Sequence, residues 1–484
     1  MADTLTARLK LLDSDTQPFD IAVIDAIVGR EAISQLYHFD VHLSVGADVA
    51  PQPSEIAGTS AVLVLSRLRG NVSTEARRIH GIISRVEEHL DRGTAEERHM
   101  TVRLVPRAHG ATLVKSQDVF IDKSVRTLTE EILEPHLGTD VDFQVETTTR
   151  DFAVKYAETD MAFISRLTEH LGVSFVFTDG SGGERMLFTD PEAGFPGGSV
   201  ELPIVGPKEG GGIKALTRST DLMPEKFWVM DYDYMNPNLE LTSMWPHPDG
   251  HEGLEFEYGS NFTTTAEGDA LARARARECK AKHHRYVGES DVPELRAGFR
   301  FGVSDSRVDD DELLMVEVEH ELRLQADSGL YYNNRFVAVA ADSGYCPPRR
   351  TPKPVIAGVI SGIVEPKAFG EIENVAHLDT ESRYRVKFIF DTTPLGEQKA
   401  SKAIRMVQAS AGPSYGVHFP LRPGVEVMVA FVNGDPDRPI IVGAVHTKTT
   451  PDPLASQSAE EASARSHNII RSHTGITMVF KDLG

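Results

Sequence analysis

One stretch of the chain spells out a hydrolase pattern. Gly412-Pro413-Ser414-Tyr415-Gly416 fits the G-x-S-x-G nucleophile elbow, in which a serine sits on a tight strand-to-helix turn and the helix N-terminus helps build an oxyanion hole. The residues that follow, Val417-His418-Phe419-Pro420-Leu421-Arg422-Pro423-Gly424, contain two prolines and a glycine and forbid that helix. Ser414 therefore reads as part of a glycine-flanked surface loop. The 18 histidines invite a metal reading. His247 and His251 are four apart, but Pro248 and Gly250 lie between them, so they cannot share a helix face as a zinc-protease pair does. His283 and His284 are adjacent and point apart on any helix. Neither Cys279 nor Cys346 has a partner at metal-ligand spacing. Asp309-Asp310-Asp311-Glu312 lacks the alternating oxygen ligands and central glycine of a calcium loop. Lys208-Glu209-Gly210-Gly211-Gly212 lacks the G-K-[ST] ending of a phosphate cradle. The expectation is no catalytic, cofactor-binding or metal-binding residue, and no cofactor.

Those residues must sit on something, and most of the chain reads as short strands. Tyr37–Val45, Ala61–Leu65 and Met100–Val105 are β-rich and bounded by turn residues. Helical periodicity is confined to Ser124–Leu137, Ala157–Leu171 and Thr265–Tyr286. The first stops at Gly138, and Gly172 stands where the second needs a C-cap. The third is rich in Ala and Arg, and its basic stripe reads as a solvated face rather than a nucleic-acid contact. Cys346-Pro347-Pro348-Arg349-Arg350-Thr351-Pro352-Lys353-Pro354 is an extended connector. Beyond it, Val355–Val364, Arg383–Phe390, Ile404–Ala409, Glu426–Val432 and Ile440–Val445 suit a small closed barrel of OB type. Pro451–Ser466 is Pro-, Ala- and Ser-rich and reads as a linker. His467–Gly484 alternates as a strand pair turning near Thr474-Gly475.

Length and charge bound the rest. At 484 residues the chain has room for about three domains. With 50 basic and 72 acidic residues, its formal charge of −22 repels phosphate backbones and anionic lipid and argues against nucleic acid as a partner. Two cysteines cannot build a disulfide framework and suggest a reducing compartment. No apolar run is long enough for a membrane helix, and the first 20 residues lack the apolar centre of a signal peptide.

The specific stretch is Arg422–Val445. Pro423-Gly424 turns the chain into an alternating strand, and Asn433-Gly434-Asp435-Pro436 makes a turn in which Gly434 is free to take a positive φ. Arg438 can reach back to Asp435 or Asp437 and pin that turn. Together, Glu426-Val427-Met428-Val429-Ala430-Phe431 and Gly434-Asp435-Pro436-Asp437-Arg438-Pro439-Ile440, with Gly443, closely resemble the signature of the VgrG family. These are the spike proteins of type VI secretion and related contractile injection systems. The resemblance covers nearly the whole chain. Tyr331-Tyr332-Asn333-Asn334-Arg335-Phe336, Gly358, the Glu371–Asp379 turn and Tyr384-Arg385-Val386-Lys387-Phe388 fall in the family's order. So do Tyr156, Asp160, Phe163, Ile164, Arg166, Leu167, Gly172 and Val173, and the turn Leu295-Arg296-Ala297-Gly298-Phe299. The chain departs from many relatives at Phe390-Asp391, where they have Trp-Asp, and near Ser410, where a Trp is missing.

The resemblance implies a mainly β architecture: phage-hub-like barrel subdomains, an OB-type barrel, then the start of an intertwined triple-stranded β-helix. It places a hub of two barrel-like subdomains with helical insertions at 1–345, the Pro-rich connector at 346–354, the OB barrel at 355–450, a linker at 451–466 and the start of a needle at 467–484. It further implies a non-enzymatic homotrimer that caps a hexameric Hcp-like tube and meets baseplate components. A PAAR-type tip protein and effector cargo complete the expected partners, and the target membrane is contacted only mechanically. Such a protein assembles in the bacterial cytoplasm and is then delivered through the target envelope. The needle is short, so either the tip is blunt or the sequence stops early. A phage baseplate hub is the alternative reading, and a spike with its own hydrolase activity is a weaker one.

Overall fold

Residues that alternate apolar and polar at period two, broken by Gly, Pro and Asp, can bury one face only by pairing into sheets. This sequence does so in two closed barrels that share one hairpin and in a third, C-terminal barrel. The structure is a computed structural model and describes residues 4–12, 17–69, 72–92, 94, 96–206, 209–308, 310, 312–325, 329–366, 378–392, 400–454 and 467–480. The chain folds into two compact units, one of Met1–Val114, Val125–Thr148 and Thr159–Pro352, the other of Lys115–Ser124, Thr149–Glu158 and Lys353–Gly484.

In the first unit, the strands Glu312–Gln325 and Gly329–Ala340 pair along their length as the shared hairpin. One half of it closes a ring with Val23–Ala32, His38–Gly46, Glu97–Val105, Val72–Glu88, Ser60–Arg69 and Thr4–Leu11. Leu9, Phe39, Val41, Leu43, Leu63, Ile83, Val102, Leu104 and Leu322 fill that barrel. The other half of the hairpin pairs with Arg300–Val303 on one side and His284–Ser290 on the other. Gly197–Leu202 and Ile213–Thr220 extend this second ring, and a bridge between Ile204 and Ile213 closes it. Its core is Leu202, Ile213, Tyr286, Phe301, Leu313, Met315 and Phe336. A bulge between Met315 and Glu317 separates the two halves of the long strand. One extra residue there bends the strand and increases its twist, which lets Met315 face one core and Leu322 the other.

The helices fill the remaining space of this unit. Val125–Leu137 begins one residue later than its periodicity suggests. Asp160–Leu171 begins three residues late, because Ala157–Thr159 finishes a strand and the Thr159 hydroxyl caps the helix by accepting from the Ala162 amide. Gly172 caps its other end at φ 75°, where the Cys346 sulfur lies 3.0 Å from the place a Cβ would take. The helix Thr265–His283 corrects the expectation of a solvated face. Leu271, Ala272, Ala274, Arg275 and Ala276 are buried, and Leu271 and Ala272 pack on Val229, Leu241 and Phe262. Small alanines let the helix lie close on the sheet of Lys226–Asp231, Leu241–Pro246 and Leu254–Tyr258, which a sequence read for exposed charge does not reveal.

The second unit holds the C-terminal barrel. Val386–Phe388, Val359–Val364, Glu426–Phe431 and Pro439–Ala444 form a four-stranded sheet in that order. The predicted strand Ile404–Ala409 enters only through bridges, Ile404 to Tyr384 and Met406 to Ile441, but these join the two outer strands and close the barrel. A two-stranded ribbon, Lys115–Ser124 with Thr149–Thr159, contributes to the same unit. Its Phe152 and Val154 pack with Ile356, Tyr384, Val386, Phe388, Val429 and Ile441. Asn468–Arg471 and Thr477–Phe480 form an antiparallel hairpin that turns at Gly475, φ 95°. The expected linker lies outside the described residues from 455 to 466, and so do 371–377 of the Glu371–Asp379 turn.

Candidate functional site

The structure places Ser414 on a two-residue hairpin turn between Ala411–Gly412 and Tyr415–Gly416, exposed and at φ 61°. None of the described residues from 417 to 431 is helical, so the backbone amides of a helix N-terminus are not available to hold an oxyanion. Ser414→Ala is expected to leave the melting temperature and any ester hydrolysis by the chain unchanged. Loss of a measurable esterase activity with the fold intact would revive the hydrolase reading.

His247 is buried, and its Nδ1 accepts from the Asp249 amide at 3.2 Å, while His251 is exposed. His284 Nδ1 lies 2.9 Å from the Thr220 hydroxyl. Cys279 and Cys346 are free thiols. Burial pushes the Cys346 thiol up to about 12 and also raises that of Cys279, so neither is an activated thiolate. Among the described residues, no three His, Cys, Asp or Glu side chains are grouped to hold a metal ion. Asp309 and Asp311 lie outside the described residues, and Asp310 accepts the Tyr286 hydroxyl at 2.6 Å. In the glycine run, the amides of Gly211 and Gly212 donate to Asp291 at 2.9 and 3.1 Å, so a carboxylate already holds the amides a phosphate cradle would use.

What the structure does concentrate is anchoring chemistry, at three places. In the first barrel, Arg77 donates to Glu31 and to the Leu295 carbonyl, the latter at 3.0 Å. His320, on the shared hairpin, places Nε2 3.0 Å from Glu31 and Nδ1 2.7 Å from the Tyr332 hydroxyl. Asn334 completes the chain by donating to Tyr332 and to the Val292 carbonyl, both at 3.0 Å. Burial alone would raise the Glu31 carboxyl, but the Arg77 charge and the His320 hydrogen bond outweigh it and hold Glu31 at about 2. Burial lowers His320.

The second anchor holds the Pro-rich connector. Glu169 accepts from the amides of Arg350 and Thr351 at 3.0 and 2.9 Å and from the Thr351 hydroxyl at 3.0 Å. A proline-interrupted segment cannot satisfy its amides in a ladder, and one carboxylate does it instead. Burial still raises that carboxyl despite these bonds.

The third anchor is the signature turn. Asn433 and Gly434 take φ 57° and 73°, and the Gly434 carbonyl accepts from Ile356 at 2.8 Å. Asp435 lies 3.6 Å from Arg438 and 2.6 Å from Lys353. Asp437 is buried and accepts from the Val154 amide at 2.8 Å and from Arg150 at 3.3 Å. The turn thus fastens the upstream ribbon to the barrel. The role of Arg438 was legible from its spacing; that of Asp437 was not, because its partners lie 283 and 287 positions away.

Two barrels on one hairpin, a further barrel that carries a Gly-Asp-Pro-Asp-Arg-Pro turn between two neighbouring strands, and a hairpin at 468–480 form a distinctive order. The sequence profile of the phage tail baseplate hub (GPD) matches residues 30–326. The chain belongs to the phage tail baseplate hub family. Residues 369–446 of this hub protein match a second profile, the type VI secretion system and phage-baseplate injector OB domain. Among curated relatives, it is 28% identical over 455 residues to the type VI secretion system spike protein VgrG5 of Pseudomonas aeruginosa, covering 87% of this chain and 55% of that one. It is 26% identical over 485 residues to VgrG1a of the same organism, covering 94% and 72%. The hub protein therefore spans little more than half the length of VgrG5. Among solved structures it is similar to a component of the Escherichia coli type VI secretion system described as resembling the T4 phage tail proteins gp27 and gp5. The TM-score is 0.64 at 20% identity, over 90% of this chain and all of that one. The mainly β fold, with phage-hub barrels followed by an OB barrel, matches the expected class.

Proposed function

We propose that the chain is the structural hub and spike of a contractile injection apparatus of the type VI kind. It acts as a homotrimer that caps the inner tube, punctures the target envelope and carries a tip protein and effectors. The observation that carries this reading is the shared hairpin. One chain supplies two closed barrels fused on the same strand pair, so three chains supply a ring of six, which is the symmetry a hexameric Hcp-like tube presents. No bond is made or broken in such a role, because contraction of the sheath does the work. The chain therefore needs no catalytic residue, cofactor or metal. Among the described residues no helix is long and apolar enough to cross a membrane. Assembly in the cytoplasm precedes delivery, and baseplate components complete the seat.

The test is oligomeric mass. Three chains carry three times −22, or −66, so assembly must bury enough apolar surface to outweigh self-repulsion. Trimers are expected at micromolar concentration, and added salt is expected to favour them. A monomer in moderate salt by mass photometry would sink the reading.

A PAAR-type tip is proposed to dock on the terminal hairpin. Ile470, Ile476, Met478 and Phe480 are exposed there, and a lone two-stranded hairpin is marginal in water. Three copies can pair edges and bury these side chains, and any strand edge left unpaired there offers a partner a place to dock. Deleting residues after Ser466 is expected to leave the hub folded and tube-binding but to abolish tip capture in a pull-down. Equal recovery of tip protein by both forms would show that the hairpin is not the platform.

A further inference from the structure

The sheet of Lys226–Asp231, Leu241–Pro246 and Leu254–Tyr258 has two faces of different character. Phe227, Val229 and Leu241 point to the helix Thr265–His283 side and are buried. Trp228, Met230, Met244, Leu254, Phe256 and Tyr258 point the other way, and all but the half-buried Trp228 are 37–50% exposed. They are neighbours by register. Trp228 stands opposite Met244 on one side and Phe256 on the other, Met230 opposite Tyr258, and Lys226 opposite Leu254. The rings of Trp228 and Phe256 meet edge to face at 4.9 Å. Single exposed apolar residues are ordinary, but a continuous patch across three strands marks a surface that something covers. Its composition, aromatics and methionine, is that of interface cores.

Charge says what kind of partner fits. Both ends of the sheet carry carboxylates, Asp233 and Glu240 at one, Glu225, Asp249 and Glu252 at the other. The cations there, Lys226 and Lys280, are drawn to Glu225 and Asp249 at 3.4 and 3.7 Å. The border is therefore net acidic on a chain of −22, so a second copy or an anionic lipid surface approaches it against repulsion. We propose that this face docks a different protein, one presenting an apolar patch bordered by Lys and Arg. The occupant lies beyond the self-association, tube and tip contacts of the functional reading.

Trp228 is a built-in reporter, since the only other tryptophan, Trp245, lies in the core-side row and can be replaced by Phe. The probes are a synthetic amphipathic Leu/Lys helix, its Leu/Glu counterpart and phosphatidylglycerol vesicles. In the Trp245→Phe protein, the Leu/Lys peptide is expected to shift Trp228 emission saturably, and the other two are not. Phe256→Glu adds negative charge yet removes apolar area, so it is expected to weaken the peptide about tenfold. Binding by charge alone would strengthen instead and overturn the proposal, as would a response to vesicles or to the Leu/Glu peptide. Oligomeric mass of the Phe256→Glu protein is expected to equal that of the parent. Its loss would assign the face to a second copy, sinking this proposal while leaving the trimeric spike reading intact. Far-ultraviolet circular dichroism of the variant checks that this exposed substitution leaves the fold unchanged.

Discussion

Arg77→Ala is expected to destabilise the hub by about 3–5 kcal/mol, because it leaves a buried carboxylate without its counter-charge. Arg77 and Glu31 are both almost fully buried, and Arg77 also donates to the Leu295 carbonyl and lies 5.7 Å from the centre of the Phe39 ring. Arg77→Lys is expected to rescue only part, since an ammonium cannot reproduce the planar fork that reaches two partners at once. Thermal unfolding of the hub measures both. Equal melting of parent and Arg77→Ala would show that the pair contributes nothing.

The same cluster dictates a pH dependence of one sign. Glu31 sits at about 2, below its ordinary 4.5, so its contribution is present above 4.5 and is lost as pH falls toward 2. His320 is lowered from 6.5 by burial, so its contribution too is present above 6.5 and is lost as pH falls through its depressed value. Both groups weaken the hub in acid, His320 first. His320→Gln is expected to flatten the upper part of that curve, from 6.5 downwards, and to leave the lower part. An unchanged slope would remove His320 from the account.

Gly434→Val is expected to disrupt the C-terminal barrel. At φ 73° a β-branched residue is strained by about 1–3 kcal/mol. The added Cβ would also stand 2.5 Å from the Val355 Cγ1, and overpacking of that kind costs about 1–3 kcal/mol more. Limited proteolysis should open the segment from Lys353 to Ala444 in the variant while the hub barrels stay protected. Gly434→Ala keeps the φ penalty with a smaller side chain and should fall between. If the valine variant melts with the parent, the turn does not control the barrel.

Much of this architecture was legible because its causes are local. Period-two alternation marked the strands, Gly172 and Gly138 stopped two helices where they stand, and the order Gly-Asp-Pro-Asp-Arg-Pro announced both a turn with positive φ and the family. Proline and glycine also dismissed the Ser414 elbow, since a helix cannot form where they cluster. These features depend on a few consecutive residues, so the sequence alone determined them.

What depended on distant pairing was decided only by the tertiary structure. The fusion of two barrels on Glu312–Gln325 and Gly329–Ala340 needs partners from Leu5 to Ala340, and no local pattern states which strand closes a ring. Asp437 reads as a turn residue until the ribbon at Val154 comes within 2.8 Å. The alanine-rich helix reads as solvated because its sequence shows charge, whereas its small residues matter only once a sheet lies against them. Buried Arg77, Glu31 and His320 are ordinary surface types by composition, and only closure of the barrel takes them out of water, where their charges must find one another.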